Sequence, residues 1–216
     1  VVGTRVAMGD LQLFERLDEV LERPHGALAE RAASGQPVVG LVCPNLPEEL
    51  PHALGLSPFR VVLAPRPPAR APSVLQTFAC SWVQALLDQG MAGDLSFLSG
   101  LVFSCNTCDS LQNLPDTGRR TVTAPAGPRI ATVRLPVACE GVAAEGLLHA
   151  ELRALQTWLE QLAGAALEPG ALAASAELHN RIRAALRELQ HAAAAGRLPY
   201  ARVQAAAVAA QCLPRE

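Results

Sequence analysis

Apolar positions at Leu11, Phe14, Leu17, Val20 and Leu21 recur close to the helical period and predict a helix from an N-cap at Asp10 to Ala33, ended by Ser34-Gly35-Gln36-Pro37. The run Val38-Val39-Gly40-Leu41-Val42-Cys43 is continuously apolar and reads as a buried strand. Pro47-Glu48-Glu49-Leu50 then opens a short helix through Leu54, with proline at its start and acids in its first turn, and Gly55 closes it. A second strand is predicted over Phe59–Ala64. Pro65 to Pro72 holds four prolines and two arginines and reads as a loop. A helical pattern covers Ser73–Gln89, with Cys80 in its first half, and Gly90 and Gly93 break it. Leu101-Val102-Phe103 is the core of a third strand. A short helix beginning at Thr107 or Asp109 follows, limited by Pro115 and Gly118, and Arg129–Leu135 is a fourth strand. Strands alternating with helices predict an α/β fold with a parallel, doubly wound sheet of Rossmann or flavodoxin type.

The pattern changes after Pro136. Glu145–Gly164, Pro169–Gly196 and Leu198–Cys212 are helical stretches rich in Ala and Leu, with no strand among them. Three regions result: a helical segment over 1–34, an α/β domain over 35–136 and a helical segment over 137–216. The last must pack on the preceding domain or bridge to something further. No internal repeat is present.

Composition narrows the function. Half of the 216 residues are hydrophobic, enough for a substantial core. A net charge of −2 argues against an electrostatic nucleic-acid binder. All 18 basic residues are Arg, so Schiff-base chemistry and a Walker-type phosphate loop are both excluded, and no bound nucleotide is expected. No run approaches the roughly 20 apolar residues that span a bilayer, and the N-terminus has no signal-peptide core and no initiating Met. A cytoplasmic protein, or a piece of one, is expected, without membrane contact. Six cysteines in such a chain read as metal-binding or redox residues before they read as disulfides.

The candidate chemistry centres on Ser104-Cys105-Asn106-Thr107-Cys108-Asp109, where an apolar run stops at two thiols and an acid. The C-terminal end of a parallel strand is where open α/β sheets bind ligands. Cys105 and Cys108 are spaced C-x-x-C at a strand-to-helix turn, which suits a redox dithiol or a metal ligand equally well. Cys43, in Cys-Pro-Asn-Leu-Pro-Glu-Glu-Leu, and Cys80, in Phe-Ala-Cys-Ser-Trp, mark two further places of the same kind. Cys139 and Cys212 lie away from the sheet's functional edge and read as structural. Glu48 and Glu49 complement a helix dipole, and one of them can also face the crevice as an acid or base. His52, Arg66 and Arg70 are candidates for substrate contact, Arg66 and Arg70 with a phosphate-bearing substrate.

Taken as an ordered set, Gln36-Pro37-Val38-Val39-Gly40, Pro47-Glu48-Glu49-Leu50-Pro51-His52-Ala53-Leu54-Gly55-Leu56, Cys80-Ser81, the stretch from Gly93 to Phe103, Asn106-Thr107-Cys108-Asp109-Ser110 and Leu178-His179-Asn180-Arg181 resemble the family of 2-hydroxyacyl-CoA dehydratase D-components and benzoyl-CoA reductase subunits. The resemblance implies an iron–sulfur subunit, with a [4Fe-4S] or related cluster, working by low-potential electron transfer to an acyl-CoA thioester. It implies Cys80 and Cys108 as cluster ligands, Cys43 and Cys105 as weaker ones, and Glu49 as the catalytic acidic residue near the substrate, which moves a proton. It also implies a homologous partner subunit in a homo- or heterodimer and an ATP-dependent activator iron–sulfur protein. In that family a further ligand comes from a second α/β domain after the helices, to which residues 137–216 would be the bridge. A cluster-free dithiol protein using Cys105 and Cys108, or a non-catalytic scaffold subunit, are the alternatives. No aromatic residue directly precedes Cys105, which counts against the dithiol.

Overall fold

The structure, a computed structural model, describes residues 15, 17–122 and 127–213. The predicted N-cap Asp10, with Leu11 and Phe14, lies outside the described residues. The expected single helix to Ala33 is interrupted. Residues 17–22 are helical, Arg23-Pro24-His25 turn, and α1 spans Gly26–Ala33. Pro24 can neither donate a helical hydrogen bond nor fit behind the preceding turn, so the helix restarts after it.

Four parallel strands follow, β1 (Val38–Val42), β2 (Ser57–Arg60), β3 (Gly100–Cys105) and β4 (Arg129–Arg134), in the order β2-β1-β3-β4. Pairing sets Gly40 against Phe59 on one side and against Leu101 on the other, and Cys105 against Arg134. The chain leaves β1 in one direction to form β2, then returns past it to form β3. That reversal places the sheet's switch point between the C-terminal ends of β1 and β3, where a crevice opens in such folds.

Strand alternation builds two cores. Val38, Val42, Phe59, Leu101 and Phe103 face one layer with Leu28 of α1 and with Val83, Leu86 and Leu87 of α3 (Ser81–Met91). Val39, Leu41 and Val102 face the other, with Leu50 of α2 (Glu49–Ala53) and with Leu155 and Leu159 of α6 (Val142–Ala163). Both faces are covered, which is why these strands read as unbroken apolar runs.

Three element boundaries differ from expectation. The second strand begins at Ser57 instead of Phe59 and ends at Arg60. Pro58 lies inside β2 because β2 is an edge strand, where a missing N–H is tolerated. Beyond Arg60, the N–H of Val61 still reaches the Leu41 carbonyl at 3.2 Å. Ala64 is then bound by a side chain: its N–H donates to Gln89 Oε1 at 3.0 Å, and Gln89 Nε2 donates to its carbonyl at 2.8 Å. Next, the helix expected from Ser73 is a single 3₁₀ turn at Ala71–Ser73, and α3 itself starts at Ser81 with extended Cys80 as its N-cap, so Cys80 precedes the helix. Lastly, α4 (Asp109–Gln112) is followed by α5 (Leu114–Thr121), so helical structure runs further than Pro115 and Gly118 suggested. Pro115 sits in the first turn of α5, where its lost N–H has no helical partner anyway.

The C-terminal helices pack on the sheet. α6 lies against β4 and α2, α7 (Ala171–Ala194) against α2, and α8 (Tyr200–Cys212) against α7 and β2. A Cβ on Gly100 would come within 2.6 Å of the Trp158 ring, so glycine there lets α6 seat on β3. At the far end of the chain Cys212 is fully buried in the first core, consistent with its structural reading.

Candidate functional site

At the switch point both inner strands turn out through residues of positive φ. Cys43, directly after β1, has φ 145°, and Asn106, directly after β3, has φ 68°. Asn visits the left-handed region readily; a cysteine at that φ is strained. The two turns meet where Cys43 Sγ lies 3.9 Å from Thr107 Oγ1. Thr107 in turn is 3.1 Å from the buried Ser104 hydroxyl.

Arg60, at the end of β2, holds the turn after β1. Its guanidinium donates to the carbonyls of Cys43 and Leu46, the latter at 3.3 Å, and to Glu48 Oε1 from two nitrogens at 2.7 and 3.2 Å. A planar fork of donors is what allows one side chain to serve three acceptors. Beside this turn is an apolar cleft of about 300 Å³, whose walls include Val42, Cys43 and Val61 from the strands, Trp82 from α3 and Leu111 from α4.

Cys80 and Cys108 cap α3 and α4, the helices that carry Trp82 and Leu111, and both thiols are exposed. Three thiols, Cys43, Cys80 and Cys108, therefore occupy the C-terminal edge of the sheet. Their donor chemistry suits a soft metal or an iron–sulfur cluster. They do not close on one point: among the described residues no three His, Cys, Asp or Glu side chains gather as a metal-holding group. Cys105 is different. It is buried, burial pushes its thiol pKa up, and it lies in a separate polar cleft with Arg119 and Arg134. Cys139 is exposed.

The two glutamates point to different partners. Glu48 is tied to Arg60, and its other oxygen is 4.0 Å from His179 Nε2. Glu49 pairs with Arg183 of α7 at 2.7 Å. Burial raises the Glu49 pKa, but its own backbone N–H, the Arg183 guanidinium and His179 outweigh that and hold the carboxyl below its ordinary range. His52 Nδ1 donates to Ser175 Oγ at 2.9 Å, and that hydroxyl donates to the Glu49 carbonyl at 2.9 Å. His179 Nδ1 donates to the Ser175 carbonyl at 2.9 Å, while its Nε2, buried beside Glu48, has no hydrogen-bond partner among the described residues. His52 thus faces α7. Arg66 pairs with Asp94. The Arg70 backbone N–H binds Asp88 Oδ1, as do those of Ala69 at 2.7 Å and Ala71 at 3.1 Å.

Sequence reasoning missed Arg60, Trp82, Ser175 and Arg183. Arg60 sits inside an apolar run and Ser175 in an Ala-rich helix, where neither has a motif. Trp82 was visible two residues after Cys80, and His179 lay within a segment already set apart by its resemblance.

The chain is an α/β protein with a parallel four-stranded sheet, and its thiols and paired acids lie near the switch point where open α/β sheets bind ligands. Within that class the chain belongs to the family described as 2-hydroxyglutaryl-CoA dehydratase, D-component, whose pattern matches residues 43–216. Its relatives include lactoyl-CoA dehydratase subunit beta of Anaerotignum propionicum, 29% identical over 184 residues, which are 84% of this chain and 47% of the relative. The (R)-phenyllactyl-CoA dehydratase beta subunit of Clostridium sporogenes is 28% identical over 112 residues, 51% of this chain and 30% of that protein. The chain spans about half the length, or less, of these relatives. Among the described residues no helix is long and apolar enough to cross a membrane.

Proposed function

We propose that this chain is an iron–sulfur subunit, or the sheet-and-helix part of one, of an enzyme that removes water from a 2-hydroxyacyl-CoA thioester. What supports the reading is that Cys43 directly follows β1, Cys108 lies in the turn after β3 and Cys80 precedes the helix whose Trp82 lines the cleft beside Cys43, in a chain of this family. Cys80 and Cys108 would be the ligands this chain gives a cluster, with Cys43 nearby, and further ligands would be needed to complete its shell. When bound, such a cluster supplies a low-potential electron and a Lewis-acidic iron. Glu49, kept ionised by its pair with Arg183, would be the group that moves a proton at the substrate. The apolar cleft beside Cys43 lies next to this site. A homologous subunit and an ATP-dependent activator, in the cytoplasm, complete the proposal. The dithiol alternative loses ground because Cys105 is buried with a raised pKa, which disfavours thiolate.

The test is anaerobic purification followed by iron and sulfide assay and electron paramagnetic resonance. Bound iron matched by sulfide is expected, and Cys80→Ser or Cys108→Ser should each lower it. Iron content unchanged in both variants would remove them as ligands. A colourless protein that supports no dehydration with partner and activator present would remove the reading altogether.

A further inference from the structure

We infer that the cleft beside Cys43 takes the side chain of the acyl group, and that the chain is built for an apolar acyl thioester, aryl or branched alkyl, and against a dicarboxylic one. The inference rests on the acyl-CoA reading above and adds the class of acyl group. Three observations carry it. The cleft, about 300 Å³, sits at the small end of ligand pockets, large enough for an acyl side chain and too small for the nucleotide part of coenzyme A. Its walls include Val42, Val61, Leu111 and Trp82, which is 40% exposed. The one charged residue in the lining is Arg60, and its guanidinium is committed to Glu48 and to the carbonyls of Cys43 and Leu46. A second carboxylate on the acyl chain, as in a glutaryl group, would enter an apolar site with no counter-charge free to meet it and would lose its hydration uncompensated. An aryl or branched alkyl group loses nothing on entry and gains the burial.

The test measures binding of 3-phenylpropionyl-CoA, 4-methylpentanoyl-CoA, glutaryl-CoA and free CoA to the 216-residue protein by calorimetry, with Trp emission as a second readout. The two apolar esters should bind at least tenfold more tightly than glutaryl-CoA and should perturb Trp emission, a change absent in Trp82→Ala. Leu111→Asp should remove the preference while leaving affinity for free CoA unchanged. Because Leu111 is buried and its replacement can prevent folding, Trp82→Ala serves as the second variant and should itself reduce the preference. Equal affinity for apolar and dicarboxylic esters, or a preference untouched by Trp82→Ala in the folded protein, overturns the inference and leaves the acyl-CoA reading standing. Failure of every ester and of CoA to bind overturns both.

Discussion

Cys43 carries the clearest residue-level signal. Its φ of 145° is one that only glycine adopts without strain, and Arg60 holds its carbonyl in place. Cys43→Gly should therefore stabilise the fold, by about 1 kcal/mol on the scale of such backbone strain, read as a higher midpoint in denaturant. A lower midpoint would mean that the thiol's packing outweighs the strain. Arg60→Lys should loosen the same turn, because an ammonium cannot span Glu48 and two carbonyls; faster amide exchange at residues 43–48 is the expected signature. Glu49 makes a pH-dependent contribution. Its pKa is depressed in the folded protein, so its stabilisation is present above the ordinary carboxylate range and is lost as pH falls through the folded value. The partner Arg183 is half exposed, which limits the effect to about 1 kcal/mol or less. Glu49→Gln should flatten the acid limb of a stability–pH curve by that amount and abolish turnover in a reconstituted enzyme. Turnover retained in the variant would reduce Glu49 to a docking residue for α7.

At the scale of elements, the inner strands were legible because a fully buried parallel strand is an unbroken apolar run, and Val38–Val42 and Leu101–Phe103 are such runs. The Pro-rich loop was legible as a loop but not as an ordered one. Asp88, itself buried on α3, accepts three consecutive backbone N–H groups from Ala69 to Ala71, and Gln89 pairs with Ala64 as a strand would. A helix position gives no sign that its side chain is spent on a loop some 20 residues earlier. The N–H groups, that of Arg70 first, hold the Asp88 pKa down against its burial, so its contribution too is lost on acidification. Asp88→Asn should increase protease cleavage within residues 64–71 and lower the melting temperature at pH 7, with the difference from wild type narrowing at low pH. Gly100→Ala should cost about 1–3 kcal/mol, since its methyl would meet the Trp158 ring at 2.6 Å.

At the scale of the whole molecule, the positions of the last helices could not be read in advance. α7 buries Ser175 and His179, polar residues whose burial the apolar pattern of the helix does not announce. The thiols at the ends of β1 and β3 were legible in the sequence, whereas the separation of Cys105 into another cleft with Arg119 and Arg134 was not. The burial of Cys212 has a consequence for how the protein comes into being. The first core, laid down by residues near the start of the chain, is roofed in part by α8, and Arg31 of α1 reaches the Cys212 carbonyl at 3.4 Å. During synthesis the four strands are complete long before that roof arrives, by roughly ten seconds at about 5–20 residues per second. Through that interval the nascent chain presents a partly open apolar face, so its yield in a cell should depend on chaperone supply more steeply than its finished stability would suggest.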